Sequence, residues 1–80
     1  MKIKFSEHAG IRLSFRKIPK KRVLLTIGSS DKTLSSFKGR AVFKKRFGLK
    51  VLEVVAKMEG DIMIVVTAYY LYENKIRQKS

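Results

Sequence analysis

One histidine, a set of arginines and three clustered tyrosines are the side chains with which this sequence could do chemistry. An imidazole has an unperturbed pKa of about 6.5, which suits proton transfer at neutral pH. A guanidinium stays charged, and its planar fork matches phosphate oxygens. Tyrosines can stack on bases or relay a proton. Together these are the parts needed to cut RNA without a metal. In that reaction the ribose 2′-hydroxyl attacks the adjacent phosphorus, while the protein supplies a base, an acid and cations around the transition state. His8, Arg46 and Tyr69 are therefore the candidate catalytic residues. Arg12, Arg16, Arg40, Lys44 and Lys50 are the candidate phosphate-binding residues.

Other chemistries are poorly supplied. There is no cysteine, which removes disulfides, thiol catalysis and thiolate metal sites. A metal site would have to be assembled from His8 and scattered acids without ligand spacing. No Gly-rich phosphate loop and no serine nucleophile motif is present, so neither metal nor cofactor is expected. Each candidate also has a plainer role open to it. His8 could hydrogen-bond a backbone carbonyl. Arg12 and Arg16 could form a solvated face or bridge to Glu73 or Glu53. Tyr69 could be core with its hydroxyl at the surface, and Tyr70 and Tyr72 could be edge packing.

Charge narrows the class of partner. Nineteen Lys and Arg against six Asp and Glu leave a net +13 on 80 residues. The excess is segregated. Arg12–Arg22 and Lys38–Lys50 each hold six basic residues and no acid. Such a field attracts polyanions, chiefly nucleic acid or anionic membrane. No apolar stretch approaches the ~20 residues that span a bilayer, and the start lacks a signal-peptide apolar region. A cytoplasmic protein that does not engage membranes is the expectation.

These residues must be positioned by a small fold. Lys38–Phe47 alternates, with Ala41, Phe43 and Phe47 on one side and Arg40, Lys44 and Arg46 on the other. Leu49–Met58 is a second strand. Asp61–Tyr72, apolar on both sets of alternate positions, is a third and should be central in its sheet. Gly48 and Glu59-Gly60-Asp61 mark the turns. Met1–Phe5 reads as a lysine-guarded edge strand. Ser6 should cap a helix with Ile11, Phe15 and Ile18 as its buried stripe and His8, Arg12 and Arg16 beside it. Pro19 should separate it from a second helix, Lys20–Ile27, which buries Val23, Leu24 and Ile27 and ends at Gly28. Ser29–Ser36 reads as a polar loop. The expectation is an α+β fold in the order β-α-α-β-β-β, two helices packed on one face of a small antiparallel sheet. One domain, 1–72, would be followed by a basic C-terminal tail, 73–80.

Several short motifs occur in order: Ser6-x-His8-Ala9, Arg12, Arg16-x-Ile18, Lys45-Arg46-Phe47-Gly48-x-Lys50, Val54-Val55 and Val65-Val66-Thr67-Ala68-Tyr69. Over about residues 5–71 the set resembles a family of small domains of unknown function related to the BrnT toxins and, more distantly, to the RelE-like ribonuclease toxins. The resemblance implies a RelE-like layout and an RNA-binding or RNA-cleaving module of the mRNA interferase type. It also implies control by an acidic antitoxin in a toxin–antitoxin pair. RNA, free or on the ribosome, and an acidic antitoxin are thus the expected partners. The alternative is a non-catalytic basic domain that binds nucleic acid or the ribosome.

Overall fold

The computed structural model of the chain describes residues 2–35 and 39–72. The expected tail, 73–80, and Lys38 at the start of the first expected meander strand lie outside them. In chain order the elements are Lys2–Phe5 (β1), Glu7–Arg16 (α1), Lys20–Gly28 (α2), Lys32–Ser35 (β2), Arg40–Phe47 (β3), Lys50–Glu59 (β4) and Ile62–Tyr72 (β5). The strands form one sheet in the order β1-β5-β4-β3-β2. The broad α+β class is as expected, with two corrections to the sheet. It has five strands, not four, and it is mixed: β1 runs parallel to β5, while every other pairing is antiparallel. No hairpin sets the direction of β1. Two helices and three strands intervene before β5, so β1 is free to run alongside it.

The meander follows the alternation in the sequence. The β3–β4 and β4–β5 hairpins have two-residue loops, Gly48-Leu49 and Gly60-Asp61. Glycine stands first in each with positive φ, 70° and 62°, as the type II′ turn requires. β5 is interior, flanked by β1 and β4. Near its middle it carries one extra residue: Ala56 pairs with Val65 and Val55 with Thr67, leaving Val66 as a bulge.

β2 corrects the expected loop at Ser29–Ser36. Its composition is polar because it is a short edge strand with one side open to water. Its main chain is satisfied by β3, with Lys32 opposite Lys44 and Ser35 opposite Ala41. Asp31 anchors its start: its N–H donates to the Lys44 carbonyl at 2.8 Å, and its carboxylate accepts from the Arg46 N–H at 2.8 Å.

Both helices lie on one face of the sheet, α1 on β5 and α2 on β4 and β3. Ser6 caps α1 as expected, its Oγ accepting from the Ala9 N–H at 3.0 Å. Its own N–H donates to the Val65 carbonyl, which ties the cap to β5. Of the expected buried stripe, Ile18 is buried but Ile11 and Phe15 are not. Ala9 and Leu13 face the sheet, with Ile18 just past the helix, whereas Ile11 is 62% exposed and Phe15 89%. Positions 9 and 13 lie about half a helical turn from 11 and 15, so only one pair can face the sheet. α2 buries Val23 as expected and Ile27 in part, but Leu24 points to solvent and Thr26 takes a buried place. The Thr26 hydroxyl is satisfied by donating to the Arg22 carbonyl at 2.8 Å. Gly28 is the last helical residue and not the cap; Ser29 closes the end by donating its N–H to Leu25.

The core lies between helices and sheet. Ala9, Leu13, Ile18 and Val23 meet Phe43, Leu52, Val54, Ala56, Met63, Val65 and Ala68. No described element covers the other face of the sheet.

Candidate nucleic-acid interface

The uncovered face can be read row by row, because directly paired residues project to the same side. One row crosses four strands: Tyr69 on β5, Glu53 on β4, Lys44 on β3 and Lys32 on β2. Beside it lie Leu71, Val51 and Arg46. On its other side lie Thr67, Val55, Val42 and Leu34, and beyond them Ile64, Lys57 and Arg40. Lys2 and Lys4 continue the face on β1. The result is a half-buried apolar floor with cations spread across and around it.

Two candidate phosphate ligands, Arg40 and Lys44, therefore share this face with the candidate catalytic Arg46, as expected. Two like-charged pairs stand directly opposed across strands, Lys32 with Lys44 and Arg40 with Lys57. Partial compensation comes from Lys44 to Glu53 at 3.6 Å and Lys57 to Glu59 at 3.2 Å.

Tyr69 owes its place here to the bulge at Val66. Before the bulge, even-numbered residues of β5 face the open side; after it, odd-numbered ones do. Without the extra residue Tyr69 would point into the helices. Its hydroxyl donates to Glu53 Oε2 at 2.5 Å. That hydrogen bond, then burial, then the Glu53 charge push the phenol up to about 12, and the nearby Arg16 pulls it the other way. A phenol held protonated so firmly is a steady donor to Glu53.

Arg16 reaches the same neighbourhood from α1. Its Nη1 donates to the Ala68 carbonyl at 2.8 Å and to Thr67 Oγ1 at 3.3 Å. The polar line thus runs from Arg16 through Tyr69 and Glu53 to Lys44.

Other candidates lie elsewhere. His8 is exposed in the first turn of α1, on the helix layer, while Arg46 stands on the opposite face of the sheet. Arg12 is exposed on the same helix. Lys50 projects to the helix side, its Nζ 4.9 Å from the Tyr70 ring centre and 6.0 Å from that of Tyr72. Arg22 donates to the Tyr70 hydroxyl at 2.7 Å and stacks 4.7 Å over Phe47. Tyr70 is thus a packing residue of the helix side. Among the described residues, no three His, Cys, Asp or Glu side chains gather as a metal site would require. No described helix is long and apolar enough to cross a membrane.

Glu53 is the residue that reading the sequence for chemistry passed over. Its signal was present: it is the only acid from Lys32 to Met58, in a strand next to the basic one. The pairing that sets it between Lys44 and Tyr69 depends on strand register, which the sequence does not state.

The raised Tyr69 phenol gives a pH prediction. The folded state prefers the protonated form, so this contribution is complete below about pH 10, the ordinary tyrosine value, and is lost as pH rises through about 12. Tyr69→Phe should flatten the alkaline loss of stability in that window and remove one high-pH step from the tyrosinate absorbance titration. If the step that disappears lies near pH 10 and not near 12, the hydrogen bond to Glu53 does not form.

No family model, curated protein or solved structure matches the chain.

Proposed function

We propose that the chain is a toxin-like RNA-binding module that holds RNA on the uncovered sheet face, cuts it there by the metal-independent route, and is controlled by an acidic partner protein. The observation that carries this reading is the opposition of like charges on that face. Lys32 against Lys44 and Arg40 against Lys57 cost stability as they stand, and a run of phosphates would relieve them. Apolar side chains between the cations offer surface to ribose and bases, and the Tyr69 ring offers a stacking platform. The ordered motif set and the β-α-α start ahead of an antiparallel meander support the RelE-like part of the reading. The net +13 supports an acidic partner. A carboxylate set among these cations favours cleavage over binding alone.

The test is a binding titration with labelled single-stranded RNA beside a melting curve for each variant. Arg40→Gln and Lys32→Gln should each weaken binding severalfold while leaving the fold as firm or firmer. Arg46→Ala should lose more than Arg46→Lys, because lysine keeps the charge but not the fork. Lys21→Gln, on the exposed side of α2, serves as the control and should change little. No RNA binding at low salt, or equal losses at Lys21, would overturn the assignment of this face.

A further inference from the structure

Glu53 sits where an acid is costly to explain as ornament. It is in the middle of β4, its side chain is only 14% exposed, and its row neighbours on the face are otherwise cations and a tyrosine. Both oxygens are oriented, Oε2 by the Tyr69 hydroxyl at 2.5 Å and Oε1 by Lys44 Nζ at 3.6 Å. An ionised carboxylate has about four acceptor positions, so two contacts leave room for a substrate hydroxyl. Lys44 stands directly beside the carboxylate, and Arg16, held by Thr67 and the Ala68 carbonyl, lies near enough to Tyr69 to act on its phenol. The apolar residues of the adjoining rows, Val51 and Val55, thin out water around it.

We propose, resting on the RNA-cleaving reading above, that Glu53 is the general base of cleavage, that Lys44 and Arg16 hold the scissile phosphate, and that Tyr69 is a positioning residue for Glu53. The step balances without a co-reactant. The ribose 2′-O–H bond breaks and its proton passes to the Glu53 carboxylate. The 2′-oxygen forms a bond to phosphorus as the P–O5′ bond breaks. The departing electron pair stays on the 5′-oxygen, which takes a proton from solvent, and Glu53 returns its own proton to solvent. The products are a 2′,3′-cyclic phosphate and a 5′-hydroxyl end. Proton transfer by a positioned side chain contributes about 10²–10⁴-fold. His8, on the helix layer, has no part in this step.

The assignment makes an unusual pair of demands on one substitution. Glu53→Gln removes the base but also removes the negative charge from a cationic face. It should therefore cut RNA at least about a hundredfold more slowly while binding RNA as tightly as the parent or more tightly. Tyr69→Phe should lower kcat about tenfold with KM nearly unchanged, because it loosens the carboxylate without touching the phosphate. Glu53→Asp should recover part of the cleavage lost in Glu53→Gln, and it serves as the reading if the Gln variant does not fold. The assay uses the full chain, a labelled single-stranded RNA of mixed sequence and a chelator throughout, with product ends identified. Parent-like cleavage by Glu53→Gln would reduce Glu53 to an ion-pair partner and overturn the proposal. Binding without cleavage by the parent chain would also overturn it, yet leave the RNA-binding face standing. Absence of binding would instead remove the underlying reading.

Discussion

Affinity for single-stranded RNA should fall a few hundredfold when monovalent salt is raised about fourfold from a low starting value. The expectation comes from counterion release. Each phosphate neutralised on a single strand contributes about −0.7 to the slope of log affinity against log salt. The uncovered face presents Lys2, Lys4, Lys32, Arg40, Lys44, Arg46 and Lys57. If about six of them meet phosphates, the slope is near −4. Binding isotherms at four or five salt concentrations measure it directly. Removing one such cation should make the slope shallower by somewhat less than one, and Glu53→Gln should leave it nearly unchanged. A flat response would mean that the affinity comes from the apolar floor and not from phosphates.

The second large effect tests how α1 is seated. Leu13→Ala should destabilise the domain by about 2–5 kcal/mol, the usual cost of hollowing a packed site. For a chain of this size that is a fall in Tm of roughly ten degrees or more. Phe15→Ala should change stability by no more than about 0.5 kcal/mol, because the ring is 89% exposed and leaves no cavity. The contrast is sharp because a reading of the sequence by size alone expects the reverse. Thermal melts of the two variants decide it. A large loss at Phe15 with none at Leu13 would mean that the helix is rotated by about half a turn.

That reversal shows what the chain makes legible and what it does not. The strands of the meander, their two glycine turns and the shared side of Arg40, Lys44 and Arg46 were all readable, since a period of two needs no knowledge of neighbours. The face of α1 was not. Phe15 and Ile11 are larger than Ala9 and Leu13, but the sheet takes the smaller pair, with Ala9 and Ala68 both fully buried in the core. Apolar periodicity gives the stripe spacing, and two stripes of the same spacing were available. β2 escaped notice because an edge strand wetted along one side has the composition of a loop. The side taken by Lys50, and the meeting of Glu53 with Tyr69, depend on register and on a bulge. Those follow from how strands dock, not from any one strand's residues.

The parallel seat of β1 beside β5 has a consequence for how the chain comes into being. Lys2–Phe5 is made before the helices and the meander, and its partners Ile62–Val65 follow only after both. Closing a loop of that length is slow compared with forming a hairpin between neighbours. The meander can zip up strand by strand, and the helices can form locally. The first strand, however, must wait for the last before it has anything to pair with. α1 waits too, since its cap is tied to the Val65 carbonyl and its buried stripe rests on β5. On a translating ribosome the domain therefore stays open at this edge until β5 emerges. Until then the apolar residues of α1 remain uncovered in the nascent chain.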